Sequence, residues 1–63
     1  MSQSPPHIDI IRYRTRGWPH PWRDHYEERA AIMEFDGGLS REEAETQAYL
    51  FISQMMTQAR LAP

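Results

Sequence analysis

Three histidines and a few nearby carboxylates are the side chains in this sequence that could hold a metal ion. There is no cysteine, so thiolate ligands are excluded. His25 and Glu28 could share one face of a helix. However, the chain has no H-E-x-x-H motif and no histidine pair at i,i+4, the spacing on which helical zinc sites depend. We therefore expect neither a metal ion nor any other cofactor.

The residues that could act as nucleophiles or general bases are equally poorly arranged. No serine has histidine and aspartate neighbours in a pattern that predicts an activated hydroxyl. The adjacent glutamates at 27–28 and 42–43 point in different directions if they lie on helices. A chain of 63 residues also leaves little room for an enclosing pocket of enzyme size. We expect a protein that is not an enzyme.

Arginines alternate with aromatic side chains between residues 12 and 23. All seven basic residues are arginine, and residues 1–25 carry a net charge of +2 against −4 for the rest. Such a mixture can bind phosphates and stack on bases, although the acidic remainder would repel a phosphate backbone unless it faces away. The arginines could equally dock on the protein's own acidic helices. The residues that a nucleic acid would contact are Arg12, Arg14, Arg16 and Trp18.

Large apolar side chains are too numerous for a core made of two helices. Aromatic residues, methionine and arginine are the types enriched at the centres of protein interfaces. We therefore predict an apolar groove or stripe that binds another protein or a second copy of the chain. The alternative is that the N-terminal segment folds back and covers these side chains. The predicted partner-binding residues are Trp22, Tyr26, Phe51, Ile52 and Met55.

The first 20 residues are predicted to form an extended or partly disordered arm. Residues 1–7 are polar and rich in proline, which is typical of a disordered tail. Residues 8–15 alternate loosely, so a strand would place Ile11, Tyr13 and Thr15 on one face. A lone strand leaves its backbone unpaired, so it must pair with a second copy or a partner, or lie as an arm on the helices. We favour the arm.

Residues 21–63 are predicted to form a helical hairpin domain, with helices at about 22–36 and 41–61. The start of the first helix has two interpretations. Pro21 suits a first helical turn. Alternatively, Asp24 caps a later start, with a glutamate three residues on completing a capping box. The second helix has an amphipathic stripe that leaves Tyr49, Leu50, Met56 and Leu61 outside it. The stripe consists of Ala44, Ala48, Phe51, Ile52, Met55 and Ala59.

The stretch EFDGGLSREEAE, residues 34–45, has the chemistry of a turn between two helices. A helix that ends near Asp36 needs a residue with positive φ, which Gly38 adopts without a clash of a β-carbon. Leu39 can then fold back onto the last helical turn. Ser40 caps the next helix, with Glu43 completing a capping box. The acidic residues that follow lie where the helix dipole favours negative charge.

Membrane and secretion signals do not stand out in the sequence. No stretch approaches the roughly 20 apolar residues that span a bilayer, and the N-terminus lacks the basic and apolar regions of a signal peptide. We therefore expect a cytoplasmic protein. A domain this small buries only about 60% of the surface of its unfolded chain, and it often gains stability by oligomerisation or docking.

Residues 24–48 resemble a short segment that recurs in proteobacterial proteins of phage or plasmid type. These include small uncharacterised proteins and the tails of primase-like chains. The helix–GG–helix arrangement is also similar to small helical docking domains of assembly-line synthetases. The resemblance implies a non-catalytic accessory or docking module of a bacterial or mobile-element protein, and it carries over no site residues. The matching residues are Tyr26, Glu28, Arg29, Ala30, Ala31, Glu34, Asp36, Gly37, Gly38, Leu39, Ser40, Arg41, Glu43 and Ala44.

The sequence therefore predicts an all-α fold, an antiparallel two-helix hairpin with an extended N-terminal arm. The predicted function is non-catalytic protein–protein interaction, and the alternative is nucleic-acid binding through the arm.

Overall fold

Three helices form the fold in a computed structural model that describes residues 7–61 of the chain. Helix α1 is Ile8–Arg16, α2 is His20–Phe35 and α3 is Arg41–Leu61. The described range contains no β-strand, which confirms the all-α class. The predicted disordered tail lies almost entirely outside the described residues, as do the last two residues of the chain. None of the three helices is long and apolar enough to cross a membrane.

Helix α1 replaces the predicted extended arm, so the prediction for residues 8–15 is wrong. The face that becomes buried has helical spacing, with Ile11 and Thr15 inside and Ile8 half-buried. Tyr13, which a strand would place beside Ile11, is 75% exposed. A helix satisfies its backbone within itself, whereas a lone strand cannot. Burial of this face in the core therefore overrides the β preference of the isoleucines.

The charges at the two ends of α1 favour the helix. His7 is the N-cap, and its Nδ1 accepts a hydrogen bond from the backbone N–H of Asp9. Asp9 lies in the first turn, and two arginines lie in the last. Both signs match the helix dipole. Gly17 then ends the helix by donating its N–H to the carbonyl of Arg14.

Helix α2 begins at His20, with Pro19 as N-cap and Pro21 in the first turn. This start agrees with the first of the two interpretations. A backbone N–H in the first helical turn has no partner within the helix, so proline, which has no N–H, loses no hydrogen bond there. Asp24 therefore lies inside the helix, where its carboxylate is 3.2 Å from Nδ1 of His20, one turn earlier. The predicted capping box at Asp24 is wrong.

The two glycines of the turn are needed for two different reasons. Gly38 has a φ of +71° and is the one residue of the described range with positive φ, as predicted. A β-carbon on Gly37 would instead lie 2.7 Å from the carbonyl oxygen of Met33. The chain turns so tightly here that Leu39 donates its N–H back to the same carbonyl. Gly37 therefore permits a close approach that a side chain would prevent, whereas Gly38 supplies a backbone angle that other residues rarely adopt.

Helix α3 is capped as the sequence predicted. Ser40 Oγ accepts a hydrogen bond from the backbone N–H of Glu43 at 3.2 Å, and it donates one to the Glu43 carboxylate at 2.9 Å. The serine thus satisfies one of the free N–H groups of the first turn. Across the turn, Arg41 lies 3.8 Å from Glu34 of α2. This cap and ion pair place α3 alongside α2.

Helices α2 and α3 run antiparallel. The end of α2 meets the start of α3, and earlier residues of α2 meet later residues of α3. Their interface and α1 form a single core. Tyr49 belongs to this core, although the predicted stripe of α3 left it out. The third helix accounts for the difference, since α1 and the residue Trp18 cover a face of α3 that a two-helix hairpin would expose. The buried hydrophobic residues are Ile11, Tyr26, Ala30, Ala44, Ala48, Tyr49 and Ile52.

Candidate protein-binding groove

An open groove of about 260 Å³ runs between α2 and α3 on the side away from α1. Its apolar walls are made by side chains that the core leaves incompletely covered. Ile32 is 45% exposed, Phe51 42% and Met55 41%. The α2 side follows helical spacing, so one stripe of that helix faces the groove. The lining residues are His25, Glu28, Arg29, Ile32, Phe51, Ile52 and Met55.

Arg29 is the distinctive polar residue of the groove. Its guanidinium carbon lies 4.3 Å above the centre of the Phe51 ring, which is a favourable cation–π geometry. Its Nε is buried and has no hydrogen-bond partner among residues 7–61. The side chain is only half-buried, so the rest of the guanidinium remains open to a ligand. The groove thus holds a partly desolvated cation that the described fold does not neutralise.

Glu28 brings a negative charge to the same groove. It is exposed, and none of the ion pairs found in the described range involves it. The neighbouring residue Glu27 is different, because it faces away from the groove and pairs with Arg23 at 3.5 Å. His25 completes the polar set, and its ring lies 6.1 Å from that of Trp22. The groove therefore offers one cation and one carboxylate within an apolar surface.

The structure divides the five predicted partner-binding residues between two places. Phe51, Ile52 and Met55 line the groove. Tyr26 is a buried core residue, and Trp22 is half-buried against the core, so neither is part of the groove. The prediction took Trp22 and Tyr26 as available, but Tyr26 is buried and meets the Trp18 ring edge-on, and Trp22 packs against the core.

The arginines proposed for nucleic-acid binding do not form an open strip. Arg12 donates to Glu45 of α3 at 2.8 Å, and Arg14 donates to the hydroxyl of Tyr49 at 2.9 Å. Trp18 stacks on the Tyr49 ring at 5.6 Å and meets the Tyr26 ring edge-on. These groups fasten α1 to the rest of the molecule. Arg16 is the arginine of the set whose side chain has neither a hydrogen bond nor an ion pair to any described residue.

Tyr26 has an unusual environment next to a second, more polar depression between α1 and α2. Burial raises the pKa of Tyr26 from 10.0 to about 12, and the negative charge of Glu45 adds to the effect. The nearby residues Thr15 and Arg12 act in the opposite direction. The hydroxyl is buried without a well-formed hydrogen bond to any described residue. Tyr26 belongs to the hydrophobic core, and no group of three or more metal-binding side chains lies among the described residues.

No family model, curated protein or solved structure matches this chain. The groove and its chemistry are therefore the features from which a function can be inferred.

Sequence reasoning missed the central groove residue. From the sequence alone, Arg29 stands out only as one of the residues that match the recurring segment, and Ile32 does not stand out. The available signal was the α2 spacing His25, Glu28, Arg29 and Ile32, which places these residues on one helical face. Nothing in the sequence indicates that Arg29 lies on the ring of Phe51, because that contact depends on how α2 and α3 pack.

Proposed function

We propose that this protein is a non-catalytic interaction module, and that its α2–α3 groove binds an apolar polypeptide segment carrying a carboxylate. The observation that supports the proposal is the half-buried guanidinium of Arg29 in an apolar groove without an internal partner. A cation that is partly removed from water and has no anionic partner in the described fold would be stabilised by a carboxylate that pairs with the exposed part of its side chain.

The chemistry of arginine supports a carboxylate as the complementary group. The planar guanidinium donates two parallel hydrogen bonds to a carboxylate, and it can do so while stacked on an aromatic ring. Ile32, Phe51 and Met55 surround it with the apolar and flexible surface that interface centres favour. A helix with apolar residues at i and i+4 and an acidic residue between them has the shape and charge that the groove accepts.

Site-directed photo-crosslinking tests this proposal. A benzophenone amino acid is placed at Met55 in the groove and, as a matched control, at the exposed residue Tyr13 on α1. The protein is irradiated both alone and in extract of the cells that produce it. We expect a defined crosslinked polypeptide from position 55 and none from position 13. The Arg29→Gln change should abolish that product, because it removes the charge that selects the carboxylate.

Three results would contradict the proposal. Position 55 could yield no defined product, position 13 could yield the same product, or Arg29→Gln could leave the yield unchanged. Far-UV circular dichroism of the Arg29→Gln protein verifies that its helices are intact. The Arg29→Gln change should abolish the crosslink without a loss of helicity, since Arg29 makes no hydrogen bond that stabilises the described fold.

A further inference from the structure

We infer that the segment bound in the α2–α3 groove is the same groove of a second copy, with Arg29 of each chain paired to Glu28 of the other. This inference depends on the proposed function and names its partner. The arrangement is a twofold symmetric dimer in which two stripes of α2 face each other. The apolar side chains of the two grooves then cover one another around the pair of ion pairs.

The groove carries charges of both signs. A twofold interface brings one surface patch against itself, so the patch must be self-complementary. A patch with only cations or only carboxylates would repel its copy. This groove instead carries Arg29 and Glu28 side by side, and no described residue pairs with either of them. Rotation about a twofold axis between them places each one opposite its complement.

The rest of α2 distinguishes these two residues from its other charged groups. Arg23 pairs with Glu27 at 3.5 Å, and His20 lies 3.2 Å from Asp24, in both cases one helical turn apart. Arg23 and Glu27 line the depression between α1 and α2 and not the groove. Arg29 and Glu28 lie on the stripe that faces the groove, and no described residue forms an ion pair with either of them. Among the described residues, Arg29 is therefore the arginine of α2 without an ion pair, and a carboxylate lies beside it in the same groove.

The apolar side chains lie next to the two charged residues, where the proposed dimer interface would bury them. Ile32 lies one turn from the two charged residues on the same stripe, and Phe35 continues the stripe toward the turn and is also exposed. Phe51 and Met55 form the opposite wall. An apolar centre with charges that pair across it is the usual composition of a stable interface. A second copy supplies that composition without requiring any other molecule.

Light scattering over a concentration series of the unmodified protein is the first test. We expect the mass to rise from that of one chain to that of two. A mass that stays at one chain up to millimolar concentration overturns this inference. It does not overturn the proposed function, which the crosslink from Met55 to another protein would still support.

Two charge reversals form the second test. Glu28→Arg and Arg29→Glu each place like charges opposite one another in the dimer, so each protein alone should dimerise about a hundredfold more weakly, about tenfold for each lost pair. An equal mixture of the two variants should recover association, because each mixed dimer contains two complementary pairs. An unidentified partner of another kind cannot produce this recovery.

Matched controls separate the groove from charge in general. Glu27→Arg and Arg23→Glu make the same changes of charge outside the groove, at the depression between α1 and α2, and they should dimerise like the unmodified protein. Circular dichroism of each variant verifies the helices. If Arg29→Glu loses helicity, the inference is tested by the concentration series of the unmodified protein and by the dimerisation of Glu28→Arg. Single variants as dimeric as the parent, or a folded mixture that stays monomeric, overturn the inference.

Discussion

At the scale of single residues, Tyr26 and Arg29 are the two groups with buried polar atoms that the described fold leaves unpaired. They differ in whether a group from a binding partner could reach the residue and pair with it. The Tyr26 hydroxyl lies in the core beside Thr15, where no outside group reaches it without disrupting α1. Arg29 lies at an open groove and is only half-buried. Its buried Nε is also a cost within the fold, but the exposed part of its side chain can pair with a bound carboxylate.

Tyr26 gives the protein a predictable response to high pH. Its folded pKa of about 12 lies above the value of 10.0 for a free tyrosine. The unfolded chain therefore loses the proton first, and stability is unaffected below about pH 10 and falls as the pH rises toward about 12, by about 2 kcal/mol. Urea denaturation at a series of pH values measures this fall.

The Tyr26→Phe variant is the control for that prediction. It should lose the part of the pH dependence that belongs to this residue. At neutral pH it should be as stable as the parent or slightly more so, because the hydroxyl it removes has no well-formed hydrogen bond. A variant that is markedly less stable at neutral pH would indicate that the hydroxyl forms a stabilising contact.

At the scale of elements, the turn between α2 and α3 depends on the left-handed backbone of Gly38. Gly38→Val should lower the free energy of unfolding by about 1–2 kcal/mol, because L-residues other than glycine adopt positive φ at a cost. Nothing lies within 4 Å of where its β-carbon would be, so the cost comes from the backbone and not from a clash. Thermal denaturation followed by circular dichroism measures it.

Gly38→Asn distinguishes this explanation from a general loss of turn stability. Asparagine tolerates left-handed backbone angles better than other residues with a side chain. We therefore expect the asparagine variant to melt between the parent and the valine variant. Equal melting of the valine and asparagine variants would exclude positive φ as the cause.

Helix α1 is an integral part of the core, and adjacent isoleucines test this. Ile11 is 0% exposed and Ile10 is 46% exposed. Ile11→Ala should lower the free energy of unfolding by about 2–4 kcal/mol through the loss of packing and the cavity that remains. Ile10→Ala should change it by less than about 1 kcal/mol. Urea denaturation compares them, and equal effects would mean that α1 does not pack as described.

At the scale of the whole molecule, charge and packing weigh against nucleic-acid binding. The chain carries a net charge of −2 at pH 7, and two of the three arginines proposed for phosphate contacts are bonded to α3. We expect labelled single-stranded oligonucleotides to bind weakly, if they bind at all, and only at low salt, because phosphate contacts weaken steeply with salt. Fluorescence anisotropy measures this. Binding that persists at physiological salt and is lost in Arg16→Ala would contradict it.

The groove association should respond to salt much less than phosphate binding does. Most of its surface is apolar, and partly buried charge pairs are screened less than exposed ones. A dimer also offers a small domain a source of stability that its own core lacks. The groove and the marginal size of the domain therefore favour the same arrangement.

The sequence by itself determined the features that depend on a few neighbouring residues. The positive φ of Gly38, the Ser40–Glu43 cap and the bounds of α3 at 41–61 were all predicted, because caps and turns act through local hydrogen bonds and sterics. The all-α class follows from the same signals together with the apolar stripe of α3.

Only the tertiary structure decided which faces are buried. Residues 8–15 could alternate as a strand or pack as a helix, and the burial of Ile11 in the shared core decided for the helix. The same packing buried Tyr49 and Tyr26 and left Arg29 against Phe51 at an open groove. These outcomes depend on contacts between residues far apart in the chain, and a single sequence does not encode such contacts in any local pattern.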